Sequence, residues 1–189
     1  MNIPKVLIID AGLGNIGSII AAFTRQNCSF QNLEYPPSKD EDSFTHVVLP
    51  GVGAFEAGIK ALKMRGWVSW IQKNCSDFNR PILGICLGMQ LLATEGKEGS
   101  QKDEIIKGLN LIPGKVNRLP QKEDLLLPHV GWNSISWEKE HKLFKGIPKN
   151  GDFYFVHSYF FEPTNSNHII ASSNYGNLFP SVVGVGNCI

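Results

Sequence analysis

The sequence predicts an open, mostly parallel α/β sheet followed by an antiparallel extension, all within one domain. Three observations carry this. Strand candidates at 5–10, 29–33, 45–50 and 81–85 alternate with helical patterns through the first half of the chain, the order that builds a parallel sheet. The second half instead holds β-rich segments at 115–119, 133–137, 153–161, 168–173 and 181–185, separated by Gly, Pro and Asn turns. Two of the early strands also end in glycine-flanked turns, where open α/β sheets bind their ligands.

Segment 5–10 carries the run VLII and ends on Asp10. It reads as a first strand buried on both faces rather than a signal peptide. A glycine-rich turn leads to a helical stretch at 18–26 and then to the second strand at 29–33. The third, THVVLP at 45–50, opens into Gly51, Val52 and Gly53. Helical patterns at 54–64 and 67–75 precede the fourth strand, which breaks into a helix beginning near Leu87. No linker, repeat or low-complexity stretch divides the 189 residues, a length suited to one domain with a substantial core.

At 42% hydrophobic and 19% charged residues the composition is that of an ordinary soluble globular protein. A net charge of +1, with scattered basic residues, leaves no footprint for nucleic acid or an anionic membrane. No apolar stretch approaches the length that spans a bilayer. Cys28, Cys75, Cys86 and Cys188 form neither a C-x-x-C pair nor a dense framework. Free thiols in a reducing, cytoplasmic compartment are therefore expected.

The chemistry gathers in RPILGICLGMQLLAT at 80–94. G-x-C-x-G between a strand and a helix is the cysteine form of a nucleophile elbow, whose glycines remove side chains that would collide at a strained turn. The elbow lifts Cys86 beyond the carboxyl end of the sheet and sets it at a helix N-terminus, where peptide dipoles favour thiolate. Gly51-Val52-Gly53 can swing backbone N–H groups toward a ligand, and the Leu87 N–H supplies a second donor for an oxyanion hole. Taken alone, that turn is also an ordinary βα loop. GLGNIG at 12–17 fits G-x-G-x-x-G, with Glu34 about twenty residues further on. Asp10 would sit near an incoming pyrophosphate, so a tight strand-to-helix turn is favoured over a dinucleotide site.

On these residues the chain resembles the class I (triad-type) glutamine amidotransferases. Within them it is similar to the glutaminase subunits of imidazole glycerol phosphate synthases. The general marks are LPGVGAF at 49–55 and GICLGMQLL at 84–92. The subfamily marks are DAGLGNIGS at 10–18, PHVGWN at 128–133 and YFVHSY at 154–159. The resemblance covers essentially the whole chain and implies a flavodoxin-like fold. It implies that Cys86 attacks the side-chain amide of glutamine, forming a thioester and releasing ammonia. A (β/α)8-barrel cyclase subunit would use that ammonia to make imidazole glycerol phosphate and the aminoimidazole carboxamide ribotide in histidine biosynthesis. By the same resemblance Val52, Gly53 and Leu87 form the oxyanion hole. Gly51, Gly53, Gln90 and Glu98 hold glutamine, with Ser158 and Tyr159 as backbone contacts to its α-amino and carboxylate groups. Asn15, Pro128, His129, Trp132 and Asn133 lie near the subunit interface. No cofactor or metal is implied.

Protonating the leaving nitrogen and activating water against the thioester both require a general acid/base. In the family a Q-F-H-P-E segment supplies it, on the strand after 181–185. Here the sequence runs SVVGVGNCI, and no H-x-E follows Cys86. His157 lies in YFVHSY, where the family already has a histidine that is not the base, and His129 has the same difficulty in PHVGWN. Both read as packed, hydrogen-bonded residues. The expectation is a C-terminally truncated chain with little or no turnover of its own. A non-catalytic, partner-binding pseudo-glutaminase is one alternative. An amidotransferase serving sugar amidation of surface polysaccharide is the other.

Overall fold

The structure, a computed structural model, describes residues 4–14, 16–38, 43–77, 80–102, 104–121, 125–137 and 140–189. Its first half alternates as expected: β1 (Lys5–Ile9), α1 (Ile16–Arg25), β2 (Ser29–Leu33), β3 (His46–Gly51), α2 (Phe55–Met64), α3 (Trp67–Ile71), β4 (Ile82–Cys86) and α4 (Leu87–Leu91). The four strands pair in parallel in the order β2-β1-β3-β4. β1 and β3 are central, which explains why their sequences are apolar on both faces. Leu7, Ile9, Val47 and Leu49 pack into the main core with side chains of α2 and α4. Val6, Ile8 and Val48 pack on the opposite side against α1. Among the described residues no helix is long and apolar enough to cross a membrane.

The helical pattern at 67–75 is only partly α-helical. After Ile71 the chain widens into a π-helical run, Gln72–Asp77. Asn74 Nδ2 donates to the Trp70 carbonyl at 3.0 Å. That is the acceptor an α-helix would offer to the backbone of residue 74, so the side chain competes with the ladder.

The second half builds its own sheets. β5 (Ala93–Gly96) follows α4 directly and joins β6 (Ile106–Lys107), β7 (Ile112–Arg118) and β10 (Tyr159–Pro163) in the order β10-β7-β5-β6. β8 (His129–Ser134) pairs antiparallel with β9 (Asp152–His157), and β11 (Ile169–Tyr175) with β12 (Asn177–Val183). With β5 and β7 parallel and β6 and β10 antiparallel at its edges, these strands form a second, mixed sheet beside two antiparallel ribbons, and are not further rungs of the first ladder. The stretch 153–161, expected as one strand, breaks at Ser158. β9 goes to β8 and β10 goes to β7, with His157 Nδ1 donating across the corner to the Tyr159 carbonyl at 2.9 Å. The outer edge of β4 is also occupied. Residues 187–189 run parallel to it, with Ile82 N–H donating to the Asn187 carbonyl (3.0 Å) and Ile189 N–H to the Ile82 carbonyl (2.9 Å).

Two glycines allow α4 to begin where β4 ends. A Cβ on Gly88 would overlap the Leu49 carbonyl oxygen, and one on Gly84 would lie 2.5 Å from the Met89 Cα. Since the colliding atoms are backbone, neither strand nor helix can yield cheaply. Gly88→Ala is expected to destabilise the chain by about 2–3 kcal/mol. Urea unfolding of the variant beside the unaltered chain measures this, and equal midpoints would show that the elbow is loosely packed.

Candidate active site

Cys86 sits at the β4–α4 junction with φ 56° and ψ −117°. A non-glycine residue held there stores on the order of 1–3 kcal/mol of strain. The turn aims the side chain out of the sheet, so Cys86 is exposed while Leu87 and Gly88 are buried. Strand register places Gly51 directly opposite Cys86. A Cβ on Gly51 would stand 3.3 Å from both the Gly88 nitrogen and Leu87 Cβ, so the oxyanion turn and the elbow meet backbone to backbone.

The outer surface of the sulfur reaches solvent, but protein encloses its other sides. That enclosure is the main reason the thiol is pushed above the ordinary cysteine pKa. The Leu87 N–H hydrogen bond lowers it in part, and the Glu98 carboxylate raises it further. The helix expected to favour the thiolate is short, only five residues, and the enclosure of the sulfur works against it. Glu98 itself is half-buried. Its Oε2 accepts the Phe55 N–H at 3.3 Å and its carbonyl accepts the Glu56 N–H at 3.0 Å. It thereby caps α2, whose own N-cap residue, Ala54, offers no side-chain bond. Burial raises the Glu98 carboxyl, and the Phe55 N–H holds part of that rise down.

Val52 N–H donates to the Leu13 carbonyl at 2.6 Å. In this conformation it is engaged by the 10–14 loop and not offered at Cys86. That loop is tied down in turn: Gly12 N–H donates to Asp10 Oδ1 at 3.1 Å, and Arg65 Nη1 to the Asp10 carbonyl at 2.6 Å. The G-x-G-x-x-G match is thus a strand-to-helix turn in which Asp10 satisfies an amide that a pyrophosphate would need. Arg65 escaped sequence reasoning because its contact with Asp10 spans 55 positions and carries no local pattern. Gly53 has φ +105°, with open space where a side chain would stand.

Gln90 is 8% exposed, and its Nε2 donates to the Tyr159 carbonyl at 3.0 Å. Cys86, Gln90, Tyr159 and His157 together line a mainly apolar cavity of about 610 Å³. A smaller one of about 160 Å³, lined by Asp10, Leu13, Gly51, Val52 and Cys86, lies beside it. Val52 and Cys86 border both. Ser158 does not line either of these cavities; its carbonyl accepts the Leu119 N–H at 2.8 Å. Among the described residues no group of three His, Cys, Asp or Glu could hold a metal ion.

The residues assigned to the interface separate. Pro128 is exposed and Asn133 half-buried, while Trp132 is 74% exposed with its ring edge-on to Tyr154 at 5.6 Å. With Val130 and Val156 these rings make an apolar outer face on β8–β9. His129 is only 3% exposed. Strand alternation turns it to the inner face, so it stands behind that surface and not on it. Asn15 lies outside the described residues.

Comparison with known proteins places this geometry. Residues 7–185 match the family model for "Glutamine amidotransferase class-I", and the chain belongs to that family. Subunit HisH 1 of imidazole glycerol phosphate synthase from Prochlorococcus marinus (strain MIT 9313) is 48% identical over 94% of this chain and 82% of its own length. HisH 2 of Pseudomonas aeruginosa is 34% identical over 96% of this chain and 87% of its own length. Among solved structures, a glutamine amidotransferase from Thermotoga maritima superposes with a TM-score of 0.66 at 20% identity, covering 100% of this chain and 74% of that one. A second glutamine amidotransferase gives 0.70 at 15% identity, covering 96% and 86%. At such identities the superpositions speak for the fold alone.

A raised thiol predicts slow alkylation at neutral pH. The iodoacetamide rate at the Cys86 peptide, followed by mass spectrometry, should still be climbing at about pH 9, where a free cysteine of pKa about 8.5 is levelling off. A plateau already reached by about pH 8 would mean that the sulfur is activated at rest.

Proposed function

We propose that this chain is the glutaminase subunit of an imidazole glycerol phosphate synthase, passing ammonia from glutamine to a (β/α)8-barrel cyclase subunit in histidine biosynthesis. The observation that carries the reading is the strained Cys86 elbow, opening on a cavity shared with Gln90 and Tyr159. Similarity to the HisH relatives supports the pathway. The free cysteines fit a reducing, cytoplasmic setting.

In this reading glutamine lies along the cavity, its side-chain amide over Cys86 and its α-groups towards Tyr159, whose neighbour Ser158 has its carbonyl turned to Leu119. Cys86 Sγ attacks the amide carbon, and the carbonyl electron pair moves onto oxygen. The Leu87 N–H steadies that oxyanion, joined by the Val52 N–H once it leaves Leu13, a flip that glycine neighbours permit. Collapse expels the amide nitrogen as ammonia, carrying the thiol proton that a base has relayed, and leaves a thioester. Water then cleaves the thioester to glutamate and restores the thiol.

The proton relay is the demanding step. His157 lines the same cavity, but both its ring nitrogens are hydrogen-bonded, one to His129 and one to the Tyr159 carbonyl. Burial also holds its pKa below the ordinary histidine value, despite the Tyr159 carbonyl. His157 therefore does not take the proton, and the described residues supply a nucleophile and a binding cleft more readily than turnover. The exposed face of Val130, Trp132, Tyr154 and Val156 is the surface offered to the cyclase subunit, since a contiguous apolar patch with aromatic anchors suits an interface.

Two outcomes are expected. 6-Diazo-5-oxo-L-norleucine, a diazoketone analogue of glutamine, labels Cys86 one-to-one and leaves Cys86→Ala unmodified by intact mass; equal labelling of both would remove Cys86 as nucleophile. Trp132→Ala weakens association with the cyclase subunit by about tenfold or more, or about 1.4 kcal/mol, while the urea midpoint hardly moves. Unchanged affinity by titration calorimetry would take β8–β9 out of the interface.

A further inference from the structure

His129 and His157 sit behind the β8–β9 ribbon as a hydrogen-bonded pair, 2.9 Å from Nδ1 of the first to Nε2 of the second. The direction of every bond in this chain is forced. The Tyr159 carbonyl can only accept, so His157 Nδ1, 2.9 Å away, carries the hydrogen. In a neutral ring Nε2 is then an acceptor, so His129 Nδ1 donates to it. His129 Nε2 is left as an acceptor facing Asn133 Nδ2 at 3.5 Å. Asn133 cannot turn its amide to suit another arrangement, because the same Nδ2 donates to the Asn174 carbonyl at 2.8 Å. The orientation therefore runs from β11 through β8 and β9 to the corner at Tyr159.

The surroundings keep both rings uncharged. His129 lies between the rings of Tyr175, with centroids 4.0 Å apart and 22° between planes, and Phe155, at 5.0 Å and 19°. Phe179 closes the edge of both histidines. The ion pairs among the described residues join Lys or Arg to Glu, and none involves these rings. Tyr175, whose hydroxyl donates to the Leu126 carbonyl, stacks on His129, and Tyr154, Tyr159 and Cys86 share the cavity wall with His157. Desolvation lowers the pKa of both histidines, and for His129 the neighbouring ring adds to it.

The chain ends on the strip of backbone that the proposed function gives to glutamine. Two donors, His157 Nδ1 and Gln90 Nε2, converge on the Tyr159 carbonyl and fill both its lone pairs. The adjacent Ser158 carbonyl is held by the Leu119 N–H. The plane of the Tyr159–Phe160 peptide is thus set by Gln90, which α4 carries beside the elbow, and by the histidine pair. We propose that His129 and His157 are positioning residues for glutamine: as two Nδ1–H rings they fix the Tyr159 carbonyl, and through it the backbone of Tyr159 in the cavity wall where the proposed function sets the substrate's α-groups. The proposal rests on the glutaminase reading and deepens it.

Labelling of Cys86 by 6-diazo-5-oxo-L-norleucine separates binding (KI) from sulfur reactivity (kinact). His157→Leu removes one of two donors to Tyr159 and leaves the His129 Nδ1–H facing an apolar group. KI is expected to rise about fivefold or more, with kinact changed by less than about twofold. His157→Asn puts an amide N–H close to where Nδ1 stood and should bring KI back to within about twofold of the unaltered chain. In parallel, 1H–15N spectra of the imidazole rings at neutral pH should show both as Nδ1–H tautomers, the minority form of free histidine. An unchanged KI in His157→Leu, no recovery in His157→Asn, or an Nε2–H tautomer on His157 would each overturn the pair's role while leaving the site intact. Failure of the unaltered chain to label at all would overturn the glutamine reading itself, and this proposal with it.

Discussion

The contact of Gly88 with the Leu49 carbonyl is the constraint from which the rest of the site follows. It brings the start of α4 against the backbone of β3, closer than any side chain would allow. Because β4 must turn into α4 within one residue, Cys86 is forced to φ 56° and its side chain leaves the sheet. The strain, about 1–3 kcal/mol, is offset locally. Leu87, Leu91 and Leu92 are almost wholly buried, and burying each such side chain contributes roughly 1.5–3 kcal/mol. The same close approach sets Gly51 opposite Cys86 and carries Gln90 to Tyr159, so Cys86, the 51–53 turn and the cavity wall share one rigid origin.

At rest the site is assembled but not armed. Desolvation holds Cys86 as a thiol, and the Glu98 carboxylate works in the same direction. Val52 keeps its N–H on Leu13. The backbone around Tyr159 is different. Gln90, Ser158 and Tyr159 are already fixed by hydrogen bonds that need no rearrangement. The cavity wall is thus fixed in this conformation, while the Val52 N–H is engaged elsewhere.

The first half was the more legible in sequence, for a physical reason. Central parallel strands are buried on both faces, so VLII and HVVL announce themselves without any knowledge of their partners. The elbow was legible too, since a nucleophile, its two glycines and Gln90 all lie within one short motif. The second half was less so. Residues 153–161 form an unbroken aromatic run, and nothing in it says that β9 and β10 turn to different sheets at Ser158. β5 and β6, of four and two residues, are too short to show a period. The helical pattern at 67–75 passes from α to π after Ile71, where the buried Asn74 side chain competes for the Trp70 carbonyl, an event no hydrophobic pattern encodes.

By itself the sequence determined the parallel α/β core, Cys86 as nucleophile candidate and the class of enzyme, because each is written in residues that are close along the chain. Only the tertiary structure decided the rest. It put His129 behind the apolar ribbon face and not on it, bonded His157 at both nitrogens, and tied the 10–14 loop to Arg65 and Val52. It also enclosed the Cys86 sulfur and set Glu98 near it, both of which raise the thiol. The common reason is that charge state and hydrogen-bond direction depend on which distant groups displace water around a residue, and packing alone sets that.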